Sequence, residues 1–131
     1  MSPERELLTT VIVNLQKRFK FPIYDTQTDD NENYPQIIVE MINTNPANQA
    51  KNEQRSKYSL AVNYYDLLES NHGQMLDCAY LIREMLTRLQ LSNYYCRCEG
   101  FSSRELVDNS TSQSLQRWNL TIDYAITEKY Y

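Results

Sequence analysis

Residues 116–127 read QRWNLTIDYAIT, and this stretch decides the fold because apolar and polar side chains alternate along it. A period of two is typical of a strand that buries one face and turns the other toward solvent. The buried face would carry Trp118, Leu120, Ile122, Tyr124 and Ile126, and the opposite face Arg117, Asn119, Thr121 and Asp123. We therefore predict a half-buried strand in a sheet that is covered on one side.

Four other segments have strand character. Residues 56–66, SKYSLAVNYYD, alternate in the same way. Residues 34–43, YPQIIVEMIN, are apolar at consecutive positions, which predicts an inner strand buried on both faces. Residues 21–25, FPIYD, predict a short strand, and 93–101, NYYCRCEGF, predict one that ends at Gly100 before a polar link. The sheet would thus have about five strands.

Two amphipathic helices complete the pattern. Ser2 and Pro3 are typical of an N-cap and a first helical residue, and acidic Glu4 and Glu6 suit the positive end of the helix dipole. The second helix would open near Asn71–Gly73. Apolar stripes at helical spacing are formed by Leu8, Val11, Ile12, Leu15 and Phe19, and by Met75, Cys78, Ala79, Ile82, Met85, Leu86 and Leu89.

The order helix, three strands, helix, two strands predicts a single α+β domain over residues 1–131. Its sheet would be mostly antiparallel or mixed, with both helices on one face. The other face would present tyrosines and mixed polar side chains to solvent. Because open sheets must hide or pair their edge strands, we expect that face or those edges to meet a partner.

Two polar segments stand out between the strands. Residues 43–57, NTNPANQAKNEQRSK, form a predicted long, flexible loop, far longer than the roughly 2 to 5 residues that usually join strands. Residues 24–33, YDTQTDDNEN, form a short acidic loop. The candidate contact residues for a partner or a second copy are Lys51, Arg55 and Lys57 on the long loop, and Asp29, Asp30 and Glu32 on the acidic loop. A merely mobile surface loop is the alternative interpretation.

Composition limits the classes of function. The net charge of −4 argues against a general nucleic-acid binder, which needs clustered Lys and Arg. No apolar run approaches the roughly 18 to 20 residues that span a bilayer, and the acidic start MSPERELLTT does not resemble a secretory signal. We therefore expect a protein made in a cytoplasm, without membrane partners, whose three cysteines are reduced thiols.

Few residues offer catalytic chemistry. His72, the only histidine, follows Glu69 at the E-x-x-H spacing of di-iron carboxylate bundles, but such sites need two copies of the motif. Cys96 and Cys98 share a strand face and would need Cys78 or His72 nearby to hold a soft metal. The two glycines belong to no phosphate-binding motif. We expect no enzyme activity, no metal and no cofactor.

The chain resembles the tail terminator, or tail completion, proteins that join heads to tails in long-tailed bacteriophages. The resemblance runs from the first helix, LLTTVIVNLQKRF, through YPQIIVEMI and KYSLAVNYYD to the helix QMLDCAYLIREMLTRL and the last strand, WNLTIDYAIT. It is a match of length and order of elements, and the aromatic-rich strand before an acidic, polar turn is its most specific part.

The resemblance implies a homo-oligomeric ring, usually of six subunits, that caps the head-proximal end of the tail tube. Such a ring stops polymerisation of the tube protein, offers a surface to head-completion or neck proteins, and lets DNA pass without specific binding. An acidic lumen would repel the phosphates. The alternatives are another head–tail connector, or a small intracellular adaptor or inhibitor that binds one protein through its open sheet face.

Overall fold

The computed structural model describes residues 2–25, 34–45, 55–68, 72–108 and 114–128. Its elements are α1 (Pro3–Arg18), β1 (Ile23–Tyr24), β2 (Gln36–Asn45), β3 (Arg55–Leu67), α2 (His72–Thr87), β4 (Tyr94–Asp108) and β5 (Leu115–Glu128). This order confirms the predicted α+β class, with five strands and two helices.

The sheet has the strand order β1-β2-β3-β5-β4. β1 runs parallel to β2, while β2 with β3, β3 with β5, and β5 with β4 are antiparallel, so the sheet is mixed. The last strand of the chain lies between β3 and β4, which therefore point the same way without pairing. One edge of the sheet is formed by β1 and β2, and the other by β4.

Both helices pack on one face of this sheet and share one hydrophobic core. Leu60 and Val62 of β3 and Leu120 and Ile122 of β5 have no exposed surface and lie in the same cluster as the apolar faces of α1 and α2. Complete burial of such a side chain is worth about 1.5–3 kcal/mol each. The alternation predicted for residues 116–127 is confirmed, because its five apolar residues are all at most 5% exposed.

Helix α1 begins as predicted, and its predicted apolar face packs against the core, but the centre of that face is shifted toward Leu7. The Ser2 hydroxyl accepts a hydrogen bond from the Arg5 backbone N–H at 3.2 Å, which is an N-cap contact. The fully buried residues are Leu7, Val11 and Leu15, at a spacing of four. Leu8 and Ile12, which we placed on the core face, are only partly buried.

Strand β4 is longer than its sequence indicates. It continues through Gly100 to Asp108, and this second half pairs with β5 down to Leu115. The prediction of a polar link after Gly100 was therefore wrong at residues 102–108. An edge strand is held by backbone hydrogen bonds, which do not depend on the type of its exposed side chains. The polar residues of this half therefore need not alternate with apolar ones, and they show no clear alternation. A bulge at Glu99 further shifts the pattern between the two halves.

The predicted loop 43–57 is shorter at both ends. Residues 43–45 belong to β2 and 55–57 to β3, with Asn45 opposite Lys57 in the ladder. Residues 46–54 lie outside the described residues. The inner strand predicted at residues 34–43 is confirmed for the first half of β2, which lies between β1 and β3 and buries residues 37–39, but β1 pairs only with Ile37 and Ile38. Ile42 lies at a register shift in the β2–β3 ladder and is 53% exposed.

Candidate interaction surfaces

The structure describes only two of the six predicted contact residues, Arg55 and Lys57. Lys57 lies on β3, with its Nζ 3.5 Å from Oε2 of Glu99 and its side chain 60% exposed. Arg55 is the first residue of β3 and lies opposite Thr127. The remaining candidates, Lys51, Asp29, Asp30 and Glu32, lie outside the described residues. Because all three acidic candidates lie outside the described residues, their pairing with the basic candidates stays a prediction.

The Glu99 carboxylate lies close to two cationic side chains, one of which is Lys57. It is the bulged residue of β4, and Arg97 also places a guanidinium nitrogen 3.7 Å from its carboxylate. Both cationic side chains are more than half exposed. Exposed ion pairs contribute only about 0–1 kcal/mol, so Lys57 and Arg97 are free to exchange this carboxylate for one on a partner.

The sheet face away from the helices carries a hydrogen-bonded polar network. Asn63 lies at its centre and is only 2% exposed. Its Oδ1 accepts from Arg117 Nη2 at 2.8 Å and from Asn119 Nδ2 at 2.7 Å. Arg117 also lies over the Tyr65 ring at 5.4 Å. Flanking side chains therefore bury the middle of this face even though it carries no helix.

This face has mixed charge along its length. The Ser59 hydroxyl donates to Asp123 at 2.6 Å, and Asn63 Nδ2 lies 3.5 Å from Oε1 of Glu40. Acidic Glu40 of β2 and Asp123 of β5 share this face with basic Arg117, which is also on β5. Such a surface suits a solvated or water-rich contact, and the part of it that the structure describes has no basic stripe like that of a nucleic-acid platform.

A groove of about 510 Å³ lies on the helix side, between α2 and the second half of β4. Leu76, Tyr80 and Arg83 of α2 form one wall, Ser103 and Glu105 of β4 form the other, and Trp118 of β5 lies in the lining. Leu76 is 44% exposed and Tyr80 54% exposed. Phe101 and Val107, the neighbouring apolar residues of β4, are 49% and 59% exposed. We call this the α2/β4 groove.

Two contacts define the chemistry of the α2/β4 groove. The Arg83 guanidinium lies 5.5 Å from the ring centroid of Tyr80 and 5.8 Å from that of Phe101. Each contact of this kind is worth about 0.5–1 kcal/mol at an exposed site. Near the start of α2, His72 Nε2 lies 2.9 Å from Glu105 Oε2 and links the helix to β4. The groove thus combines apolar and aromatic side chains with two cations, Arg83 and Arg104, and with the Glu105 carboxylate.

The sequence contains a signal for this groove that the core stripe of α2 alone does not include. Leu76, Tyr80 and Arg83 recur at helical spacing beside the core stripe of α2, so a second partly apolar face was visible. The β4 wall was not predictable in the same way, because residues 102–108 carry no strand pattern. Only the pairing with β5 places Glu105 opposite Trp118 and close to α2.

The candidate catalytic cysteines lie in surroundings that do not favour their reactive form. Burial raises the pKa of the Cys96 thiol to about 12 and also raises those of Cys78 and Cys98. These thiols stay protonated near neutral pH, whereas nucleophilic attack and metal binding require thiolates. Within the described residues, no three His, Cys, Asp or Glu side chains form a possible metal site. Glu69, the partner of His72 in the E-x-x-H spacing, lies outside them.

No helix in the described part of the chain has the length and apolar character needed to cross a bilayer. The fold and its surfaces thus define a small α+β domain with a mixed sheet, one helix-covered face and one polar face.

The comparison with known families identifies the chain. A family model described as phage tail terminator protein matches residues 6–129. The chain belongs to this family, as its resemblance indicated, and is a structural protein of a phage tail. No curated protein matches it.

A solved structure has the same fold. It is a chain of the "Virion of native gene transfer agent (GTA) particle", with 13% sequence identity and a TM-score of 0.63. The match covers 98% of each chain. The order of elements described above is therefore found in a virion protein with little sequence in common.

Proposed function

We propose that this protein forms a ring, of six subunits, that caps the head-proximal end of the tail tube. The ring ends polymerisation of the major tail tube protein and presents its other side to a head-completion or neck protein. The observation that carries the proposal is the family match over residues 6–129. Both edges of the sheet are open within the described residues, and these edges and the exposed α2/β4 groove support the proposal, because a subunit of a ring needs surfaces for its neighbours.

The role is non-enzymatic and depends on shape and charge. The ring is assembled in the cytoplasm of the bacterial host, and DNA passes through it without base-specific contacts. Basic Lys51, Arg55 and Lys57 would meet acidic Asp29, Asp30 and Glu32 across the subunit or tube interface. Lys57 suits such a contact, because its ion pair with Glu99 is exposed and can be replaced by a pair with a carboxylate on a neighbour.

A tube-growth assay tests the capping function. Purified tube protein is polymerised with and without this protein, and tube lengths are measured on negative-stain images while light scattering gives the solution mass. We expect shorter tubes with a ring of density at one end. Unchanged tube lengths, combined with binding to portal-bearing heads, would instead identify a different head–tail connector. Capture of one host protein by a permanent monomer would identify an adaptor.

A charge reversal tests the contact residues. Changing Lys51, Arg55 and Lys57 together to Glu should weaken assembly and alter its salt dependence, while circular dichroism shows a folded monomer. Arg88, an 82% exposed side chain just after α2, provides a control reversal on another element. Assembly that keeps the salt dependence of the unaltered protein would remove these three residues from the interface.

A further inference from the structure

The α2/β4 groove is chemically incomplete within one subunit. Arg83 lies over two exposed rings, yet no carboxylate pairs with it among the described residues. A guanidinium that contacts aromatic rings still has N–H groups with which it can bind a carboxylate. The exposed apolar residues around it favour an aliphatic side chain. The occupant should therefore combine a carboxylate with an adjacent apolar group.

The opposite edge of the sheet carries this combination. Beyond Ile38, β2 has no strand partner on the side away from β3 within the described residues. Ile42 is 53% exposed at the register shift, and Glu40, two residues earlier, is also exposed. Glu40 makes only a long contact, 3.5 Å, with Asn63, so its carboxylate keeps free acceptor positions.

We propose that the α2/β4 groove of one subunit receives the β2 edge of a second copy of this chain. Ile42 packs against Tyr80 and Phe101, and the Glu40 carboxylate pairs with Arg83. The inference rests on the ring proposed above and names its subunit contact. Because β4 forms one edge of the sheet and the part of β2 beyond Ile38 lies at the other, the contact is head-to-tail, and repetition of such a contact generates a closed ring when the rotation permits.

A charge-exchange experiment tests the pairing. Arg83→Glu and Glu40→Arg are made singly and together, and self-association is measured by sedimentation at low and high salt. Each single change should weaken association at least about tenfold, and the double change should recover most of that loss. Arg88→Glu, which changes the net charge equally outside the groove, should have little effect. Single losses without recovery in the double variant would overturn the pairing.

A cross-linking experiment tests the location and separates the two proposals. A photoreactive benzoylphenylalanine replaces Phe101, and its cross-links are mapped by mass spectrometry in solution and on tail tubes. We expect attachment to residues 40–42 of another copy. If the protein caps tubes but residue 101 links elsewhere or to nothing, the groove proposal fails and the capping function stands. If tubes are not capped while the expected link forms, only the capping function fails. Absence of both overturns both.

Discussion

The Glu6 carboxylate should be one of the larger contributions of a single polar group to the stability of this domain. Glu6 is 6% exposed and accepts two hydrogen bonds from Asn93, at 3.2 Å from the backbone N–H and at 2.6 Å from Nδ2. These bonds fasten the start of α1 to the segment between α2 and β4. Glu6→Ala removes both acceptors, so that the two Asn93 donors can hydrogen-bond only to water at this site.

The expected loss follows from these contacts. Hydrogen bonds to a charged group contribute about 1.5–3 kcal/mol each, but Asn93 is exposed as a residue, so water replaces part of what is lost. We expect Glu6→Ala to lower the free energy of unfolding by about 2 kcal/mol. For a chain of 131 residues this corresponds to a fall in Tm of about 7 °C. Glu6→Gln keeps one acceptor and should lose less.

Glu4→Ala is the matched control. Glu4 lies in the same first turn and shares the helix-dipole effect, but it is exposed. Urea unfolding of both variants, with Asn93→Ala and the double variant Glu6→Ala/Asn93→Ala, gives the coupling between the two side chains directly. Equal losses for Glu4→Ala and Glu6→Ala, or a coupling near zero, would refute the contribution derived from the two hydrogen bonds.

Three further predictions concern the core. Leu60→Ala should cost about 2–5 kcal/mol, because it leaves a cavity at a fully buried site, and a loss below 1 kcal/mol in chemical denaturation would contradict the packing described. Tyr124→Phe removes the hydroxyl that donates to the Leu86 carbonyl at 2.6 Å and should cost about 1 kcal/mol by thermal unfolding. At pH 8 the Cys96 thiol, with its pKa raised to about 12, stays protonated in the folded protein, so iodoacetamide should modify it far more slowly than in urea; equal rates by mass spectrometry would exclude this burial.

The parts of the fold that the sequence predicts are those where side-chain burial follows a simple period. The β5 alternation, the β3 face from Tyr58 to Tyr64 and the Ser2 cap all appear as expected. They share one cause, because each is fixed by local geometry and by whether a side chain meets the core.

The parts that the sequence does not predict depend on partners distant in the chain. Glu6 looked like an ordinary acidic residue of a first helical turn, and only Asn93, 87 positions away, makes it a buried acceptor. Asn63 looked solvent-facing, but long side chains from β2 and β5 cover it. The second half of β4 is a strand because β5 pairs with it. The α2/β4 groove exists only through that pairing, so its wall was invisible to any local pattern.

The interior position of β5 in the sheet means that two of the surfaces described above form only after the last strand has been made. During translation β4 leaves the ribosome before β5, and within the described sheet β4 pairs with no other strand. Trp118 of the groove and Arg117 and Asn119 of the polar face also come from β5. A nascent or truncated chain therefore lacks both surfaces until its last strand has been inserted.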